Sequence, residues 1–414
     1  MLSMLKKLGP GLLFAGAAIG VSHLVQSTRA GADFGLGLLW ALLLVNLFKY
    51  PFFQFGPRYA SATGESLLEG YHKLGKGILI AYFVLSLATM FTIQTAVTIV
   101  TAGLANSLFG DISVLNFGID GISSIEIWTV IILLICLLIL FLGKYRTLDK
   151  LIKVIIIVLT ISTLVAVCFA FVEFDKPISL VQILPENPTE IAFLIAFMGW
   201  MPAPLDISVW HSIWAIEKKK DEGVFSPKTA LLDFNIGFLG AIILGFAFVC
   251  LGYFIMFGNG NTFSDKAAIF SNQLIDLYTK SLGDWAYIII GIAAFTTMFS
   301  TTITTLDASP RAMTKSLEIL SNEPKKNGYL HWILILAIGT IFIFFALASE
   351  MGLLIKIATI LSFITAPFYA IINYKLISSK HTPKDWRPSI GLHVLSWSGI
   401  AFLVGFSIWY LSFL

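Results

Sequence analysis

The residues best suited to bind an ion lie at two places where an apolar segment is interrupted. The first interruption reads Gly20-Val21-Ser22-His23 and the second reads Met201-Pro202-Ala203-Pro204. Glycine weakens the first helix, whereas the two prolines lack a donor and clash with a continuing helix. Inside a bilayer, backbone groups freed in this way persist only where protein or a water-filled cavity satisfies them. Matching breaks in the two halves of a membrane protein indicate the substrate site of a transporter.

The first break has the chemistry of an anion site. A half-helix that starts near Ser22 would direct free N–H groups and the positive end of its dipole into the site. The imidazole of His23 would add to this preference, and Arg29 follows one or two turns later. Each residue has a simpler alternative: Ser22 as an N-cap, His23 as a packing residue and Arg29 as an anchor at the membrane interface.

Two further ionisable residues near the breaks, Lys49 and Asp206, could contribute to the site. Lys49 is in the middle of a segment, where a charge is costly and normally faces the protein interior, so we expect a buried partner or a pathway role. Asp206 follows the second break and could cap the next half-helix, pair with Lys49 or His211, or contact a cation. His211 lies five residues beyond Asp206, about 140° round a helix, so those two do not share a face.

A run of hydroxyl side chains at 300–305 is the clearest candidate for a cation site. Ser300, Thr301 and Thr304 have i, i+1 and i+4 spacing. Neutral oxygens suit Na⁺ better than a divalent ion, because less charge needs compensation. The alternative is that the hydroxyls bond back along an ordinary helix. Asp307 and Arg311, four residues apart, predict an i,i+4 ion pair or an intracellular gate.

The composition is that of an integral membrane protein. The chain of 414 residues is 57% hydrophobic and only 12% charged, with a mean hydropathy of +0.88. Nothing is left over for a sizeable soluble domain, so residues 1–414 form one transmembrane unit. Eleven apolar spans, numbered here in chain order, are long enough to cross a bilayer: 11–31, 36–60, 77–108, 125–143, 151–173, 190–215, 228–257, 284–308, 329–348, 351–375 and 389–412.

Basic residues fall in alternate loops, and the opposite loops carry mainly acids. This pattern predicts a protein of the cell (inner) membrane with its N-terminus, including Lys6 and Lys7, in the cytoplasm. The net charge of +3 is then topogenic, so we expect no nucleic-acid partner. Cys136, Cys168 and Cys250 lie inside apolar spans without metal spacing and are expected to be structural thiols. No catalytic motif is present, so we expect neither an enzyme nor a cofactor.

The spans repeat in two groups of five. Spans 1–5 and 6–10 each consist of a broken first helix followed by four continuous ones, and span 11 is extra. Because five is odd, the second group is inserted upside down relative to the first. We therefore predict an all-helical, leucine-transporter-like inverted repeat, with repeat one at about 9–174, repeat two at about 188–376 and the extra helix at about 389–412.

Several segments resemble the Nramp family of proton-coupled divalent-metal transporters. Gly9-Pro10-Gly11 resembles the opening of the family's helix 1, and residues 26–35 (QSTRAGADFG) resemble the segment after its break. Residues 102–110 (AGLANSLFG) resemble the end of helix 3, Met201-Pro202 the start of the helix-6 break, and residues 300–304 part of helix 8. The resemblance covers most of the chain and implies the family's fold.

The residues that carry the family's metal chemistry differ here. Metal-transporting members have Asp-Pro-Gly-Asn at the helix-1 break, so the carboxylate position is Gly20 and the amide position is His23. The family's histidine after Met-Pro is replaced by Ala203, and its helix-3 acids fall near Gln94 and Val97. A divalent ion in low dielectric needs oxygen ligands and negative charge, so these departures argue against a metal substrate.

From these features we predict Na⁺-coupled uptake of a small inorganic anion such as bicarbonate, by a protein that functions as a monomer. The residues predicted to contact the substrate are Gly20, Val21, Ser22, His23, Met201, Pro202, Ala203 and Asp206. Similarity to leucine-transporter-like proteins implies a Na⁺ site where span-8 hydroxyls face helix-1 carbonyls, formed by Ala17, Ala18, Gly20, Ser300, Thr301 and Thr304. The alternatives are a divalent-metal (Mn²⁺ or Mg²⁺) transporter with a site rebuilt from Met201, Asp206 and His23, and a channel or ligand-sensing membrane protein.

Overall fold

The computed structural model describes residues 9–113, 122–142, 145–222, 226–258, 263–284, 286–347 and 351–413. The regular elements in these ranges are all helices. The predicted cytoplasmic residues Lys6 and Lys7 lie outside the described residues.

The helices are labelled in chain order, and a π-helical segment, Ser22–Ser27, lies between the first two. They are α1 Pro10–Ala18, α2 Thr28–Phe34, α3 Leu39–Thr63, α4 Leu67–Leu74, α5 Lys76–Phe109, α6 Ser124–Leu142, α7 Tyr145–Glu173, α8 Pro188–Trp200, α9 Ile207–Glu222, α10 Pro227–Met256, α11 Ala267–Leu282, α12 Ala286–Ser321, α13 Gly328–Leu347, α14 Met351–Ile377 and α15 Ile390–Leu411.

Each predicted span is largely helical in the part of the chain that the structure describes. Among the described residues, seven helices are long and apolar enough to cross a membrane, namely α5, α6, α7, α10, α13, α14 and α15. The pair formed by α1 and the helical stretch from Ser22 to Phe34 is bent by 46° and makes an eighth when counted as one span. The other spans correspond to α3, α8 with α9, and α12. The multi-pass, all-helical class is therefore confirmed, while the count of eleven crossings and the repeat boundaries stay predictions.

Both predicted breaks are present. Span 1 leaves its helix after Ala18 and resumes at Ser22, and span 6 is non-helical from Met201 to Asp206. Pro202 and Pro204 lie in the second gap, as their lack of a donor requires. The two breaks also meet, because the Ser22 hydroxyl oxygen lies 3.4 Å from the carbonyl oxygen of Pro202.

Two close contacts hold the first half-helix in place. The Asp233 carboxylate on α10 accepts hydrogen bonds from the backbone N–H groups of Gly9 (3.1 Å) and Gly11 (2.8 Å) at the start of α1. These N–H groups have no partner within their own helix, so the carboxylate caps them and suits the positive end of the dipole. A Cβ at Gly237 would lie 2.1 Å from the Gly11 carbonyl oxygen, so glycine lets α1 and α10 approach closely.

The described cysteines carry free thiols. Cys136 and Cys250 are buried and Cys168 is exposed. Their positions agree with the expectation of structural thiols inside apolar helices.

Candidate ion-binding site between two broken helices

At the first break, the side chains of Ser22 and His23 are tied to the backbone. The Ser22 hydroxyl lies 2.6 Å from the Ala18 carbonyl oxygen and 2.6 Å from Nδ1 of His23. Nε2 of the fully buried His23 lies 2.8 Å from the carbonyl oxygen of Ala241 on α10. The N-cap alternative for Ser22 is wrong, because its hydroxyl bonds back to the preceding half-helix and the next one begins as a π-helical segment. Such segments are frequent at functional sites.

At the second break, Lys49 binds the end of a half-helix. Its Nζ lies 2.8 Å from the carbonyl oxygen of Met198 and 2.7 Å from that of Gly199, with those of Met201 and Ala203 at 3.1 and 3.3 Å. The side chain is completely buried. Carbonyls in the last turn of a helix lack intrahelical partners and form the negative end of its dipole. The ammonium of Lys49 therefore neutralises the end of α8, which is the buried partner that its position in the span predicts.

Asp206 and His211 do not form the pair that we considered. Asp206 is only 5% exposed, and its Oδ1 has no hydrogen-bond partner among the described residues. The backbone N–H groups of Asp206 and Ile207 face the carboxylate, whereas a capping side chain accepts from the second or third residue of the helix, so the cap stays a prediction. His211 is buried against the rings of Phe14 (5.7 Å) and Phe234 (5.8 Å), and neither ring nitrogen has a partner within the described part of the chain. Lys49 is within electrostatic reach of Asp206.

The hydroxyl run on α12 reaches the first break through Thr301. Its Oγ1 lies 3.1 Å from the Gly16 carbonyl oxygen and 3.3 Å from that of Ile19. The same Oγ1 lies 3.2 Å from the carbonyl oxygen of Thr297 on its own helix, as the back-bonding alternative predicts, and the Na⁺ set of Ala17, Ala18 and Gly20 stays a prediction. The carbonyl of Ala18 accepts from the Ser22 hydroxyl and from the Gly20 N–H group.

Two other members of the run, Ser300 and Thr304, are buried and have hydroxyls without a partner among the described residues. Thr305, the last member of the run, donates to Oε1 of Gln94 at 2.7 Å. Gln94 in turn donates to the Thr302 carbonyl at 3.2 Å. The family's helix-3 acids fall near position 94 by resemblance. In this chain Gln94 links α5 to α12 through these hydrogen bonds.

The side chains of the rebuilt metal site are directed to separate partners. Both nitrogens of His23 are engaged by Ser22 and Ala241. The sulfur of Met201 packs near Gly245 on α10, where an added Cβ would lie 3.2 Å from it. Within the described ranges, no group of three or more His, Cys, Asp or Glu side chains could hold a metal ion.

A small cavity of about 20 Å³ lies between the breaks and is lined by Ala18, Val21, Ser22, Pro204, Thr301 and Thr305, among others. This volume holds roughly one water molecule. A larger vestibule of about 810 Å³, on the side predicted to be outside, contains Arg29, Asp33 and Lys356. Arg29 forms an ion pair of 2.6 Å with Asp265 there, so it lies at the vestibule and not at the break.

On the opposite side, a vestibule of about 420 Å³ is lined by Glu69, Glu217, Arg311 and Tyr329, among others. The predicted pair of Asp307 and Arg311 is confirmed at 2.7 Å. The Tyr329 hydroxyl donates to Asp307 at 2.6 Å, and the guanidinium of Arg311 lies 5.0 Å from the centre of the Tyr329 ring. This network joins α12 to α13 on the predicted cytoplasmic side.

Two broken helices that meet beside a small cavity, with a vestibule on either side, are the arrangement of a secondary transporter. The chain belongs to the Nramp family: the family model described as natural resistance-associated macrophage protein-like matches residues 11–412. The family and the fold are those of transporters, not of enzymes.

Relatives and solved structures agree with this assignment. The chain is 36% identical to an uncharacterised protein of Pasteurella multocida, over 94% of this chain and 90% of the other. It is 23% identical to metal transporter Nramp6 of Arabidopsis thaliana, over 98% of this chain and 76% of that one.

Among solved structures, a variant of the manganese transporter of Eremococcus coleocola matches with a TM-score of 0.73 at 14% identity, over 98% of this chain and 86% of that one. MhsT in complex with L-phenylalanine matches with a TM-score of 0.67 at 12% identity, over 97% of each chain. These two structures show the leucine-transporter-like fold. The Arabidopsis relative is named as a metal transporter and the Eremococcus protein as a manganese transporter.

Proposed function

We propose that this chain is a secondary transporter that moves a small inorganic anion of the bicarbonate class together with Na⁺. The observation that carries the proposal is the ammonium of Lys49, seated on the carbonyls at the end of α8. A half-helix end of this kind attracts a cation into a transporter site. In this chain the ammonium of Lys49 already occupies the end of α8. A metal ion entering the second break would therefore be repelled by that ammonium.

The charge balance of the site supports the same conclusion. Around the breaks, Lys49 supplies an amine and Asp206 a carboxyl group, and both side chains are buried. A divalent cation would add two positive charges with no further carboxylate to offset them, which is costly in a low-dielectric interior. An anion that enters with one Na⁺ leaves the net charge unchanged.

Thr301 is the candidate contact for the coupling ion. Its hydroxyl faces two carbonyl oxygens at the end of α1, at 3.1 and 3.3 Å. Hydroxyl and carbonyl oxygens are hard, neutral ligands of the kind that suit a monovalent cation. The substrate anion would lie near Ser22 and His23, where the next half-helix begins and directs its positive dipole end into the cavity.

The second candidate is a divalent metal cation. It is favoured by the metal-transporting relatives and by Asp206, whose Oδ1 is available to bind a cation. In this case the ammonium of Lys49 must leave the second break, so that the carbonyls of α8 become ligands.

The two candidates differ in the ligand that stabilises the purified protein, because a ligand that binds only the folded state raises its thermal stability. We expect bicarbonate to raise the melting temperature with Na⁺ present and not with choline in its place. Mn²⁺ and Mg²⁺ at millimolar concentration should have no effect. Stabilisation by Mn²⁺ alone, without a response to bicarbonate, would establish the metal candidate.

The proposal also includes the membrane, the orientation and the oligomeric state in which the protein works. The protein is placed in the cell (inner) membrane with its N-terminus in the cytoplasm, where the basic loops lie, and it acts as a monomer. Each protomer holds both breaks and both vestibules, so a partner is not needed to complete the pathway.

A further inference from the structure

Three buried tyrosines form a cluster beside the second break. Tyr71 on α4, Tyr82 on α5 and Tyr369 on α14 pack in a row, with ring centroids 5.9 Å apart for the first pair and 6.1 Å apart for the second. All three side chains are at most 2% exposed. The segment after the second break reaches this cluster through Asn373 on α14, whose side-chain amide donates to the Ser208 hydroxyl at 2.9 Å and accepts from Tyr71, and Asp206 lies two residues before Ser208.

The polar atoms of this cluster are unequally satisfied. The Tyr71 hydroxyl donates to Oδ1 of Asn373 at 2.5 Å. The hydroxyls of Tyr82 and Tyr369 and Oδ1 of Asp206 are buried without a hydrogen-bond partner among the described residues. A buried polar atom without a partner is costly, and most buried polar atoms in folded proteins have one. Three of them in one cluster, one on a carboxylate, point to a ligand.

The chemistry of these three atoms defines the class of ligand. A carboxylate oxygen and two phenolic oxygens are hard donors with one negative charge between them, which suits a monovalent cation better than a divalent one. Lys49 does not serve as that cation, because its Nζ is held by the carbonyls of the second break.

We infer that Asp206, Tyr82 and Tyr369 form a Na⁺ site, separate from the candidate contact at Thr301. The two positions involve different helices, since the cluster joins α5, α9 and α14, whereas Thr301 lies between α1 and α12. This inference rests on the proposed function for the identity of the ion as Na⁺. A cation held by Asp206 would link the second half-helix of span 6 to spans 3 and 10.

The test is binding of radioactive Na⁺ to the purified full chain in detergent, without bicarbonate or metal. Because it needs no transport, failure of the anion proposal and failure of this site are separate results. The measurements are made in a Thr301→Ala background, in which the cluster is the Na⁺ site that remains. We expect saturable Na⁺ binding there, more than about tenfold weaker after Asp206→Asn, because the charged ligand is lost.

Tyrosine-to-phenylalanine variants change the protein less than Asp206→Asn, so they test the site even if Asp206→Asn does not fold. Tyr82→Phe and Tyr369→Phe each remove one hydroxyl and should weaken Na⁺ binding about fivefold while the protein stays monodisperse. Tyr71→Phe is the matched control, because that hydroxyl is already used by Asn373, and its Na⁺ affinity should be unchanged. The inference is overturned if Asp206→Asn binds Na⁺ as its parent does, or if Tyr71→Phe weakens binding as much as the other two phenylalanine variants.

Discussion

The two breaks differ in the groups that bind the carbonyl oxygens at the end of each half-helix. At each one a half-helix ends inside the protein with carbonyl oxygens that lack intrahelical partners. At the end of α1 these oxygens meet the neutral hydroxyls of Thr301 and Ser22. At the end of α8 they meet the charged Nζ of Lys49. In our proposal the first break binds an exchangeable cation, whereas at the second break the amine of Lys49 occupies that position.

The largest expected effect comes from removing the built-in cation. Lys49→Ala would leave four buried carbonyls without their charged donor and Asp206 without a nearby positive charge. We expect a loss of about 3 kcal/mol in the free energy of unfolding and loss of anion uptake. The measurements are thermal unfolding of the purified protein and uptake into proteoliposomes.

Lys73→Ala is the matched control, because that lysine is 41% exposed and pairs with Glu65 at the surface. Its removal should change stability by less than about 1 kcal/mol. The Lys49→Ala variant also sharpens the comparison, since vacated carbonyls should let it bind Mn²⁺ more tightly than the unmutated protein. Equal stability of the two alanine variants would show that the second break does not depend on its lysine.

The next largest loss of stability should come from adding a side chain at Gly20, which lies close to Thr301 at the first break. A Cβ at position 20 would lie 2.7 Å from Oγ1 and 2.9 Å from Cγ2 of Thr301. Gly20→Ala should therefore lower stability by about 1–3 kcal/mol through overpacking. Adding Thr301→Ala removes both atoms and should restore part of the loss, as a double-mutant cycle would measure.

Gly240→Ala controls for the effect of alanine in a helix, because nothing lies within 4 Å of a Cβ there. It should be neutral or slightly stabilising, by up to about 1 kcal/mol. Additive losses in the double mutant would mean that Gly20 and Thr301 are not in the predicted contact. The same geometry explains why a carboxylate does not fit at position 20 in this chain.

A smaller effect is expected from the hydroxyl that faces α1. Thr301→Ala should raise the half-saturating Na⁺ concentration for uptake about tenfold, with less effect on that of the anion. Thr301→Ser keeps the hydroxyl and should behave like the unmutated protein. Thr296→Ala, on the exposed side of the same helix, is a further control. Na⁺ dependence that is the same in all four proteins would remove Thr301 from the coupling site.

The smallest effect should lie away from both breaks, at the predicted cytoplasmic vestibule. The side chain of Arg311 is 39% exposed in its pair with Asp307. Arg311→Gln should cost about 1 kcal/mol, because the glutamine amide can still donate to the buried Asp307 and the Tyr329 hydroxyl continues to do so. Its uptake rate should change about twofold, and a complete loss of uptake would show that the ion pair is essential to transport.

The comparison also shows what the sequence can and cannot predict. Glycine and proline act locally, so the breaks at Gly20 and Pro202 follow from residue type. The pair of Asp307 and Arg311 follows from helical spacing in the same way. The partner of Lys49 does not, because the carbonyls it binds are about 150 residues away in the chain and belong to the backbone, which leaves no mark on residue identity.

The details at the first break depend on rotation of the half-helices. The segment after the break winds as a π-helix, which shifts every later side chain relative to an α-helix. Which carbonyls face Thr301 depends instead on how α1 is rotated against α12, and the packing brings those of Gly16 and Ile19 to its hydroxyl. The tyrosine cluster was missed because its members lie on three separate helices, and only the packing brings them together.

The most direct test of the central claim is uptake of labelled bicarbonate and of Mn²⁺ by the unmutated protein in proteoliposomes, each with and without an inward Na⁺ gradient. The account predicts bicarbonate uptake that requires Na⁺ and is not inhibited by Mn²⁺, together with no Mn²⁺ uptake above that of empty liposomes. Saturable Mn²⁺ uptake that is indifferent to Na⁺ and bicarbonate would contradict the account and assign the chain to the metal transporters of its family.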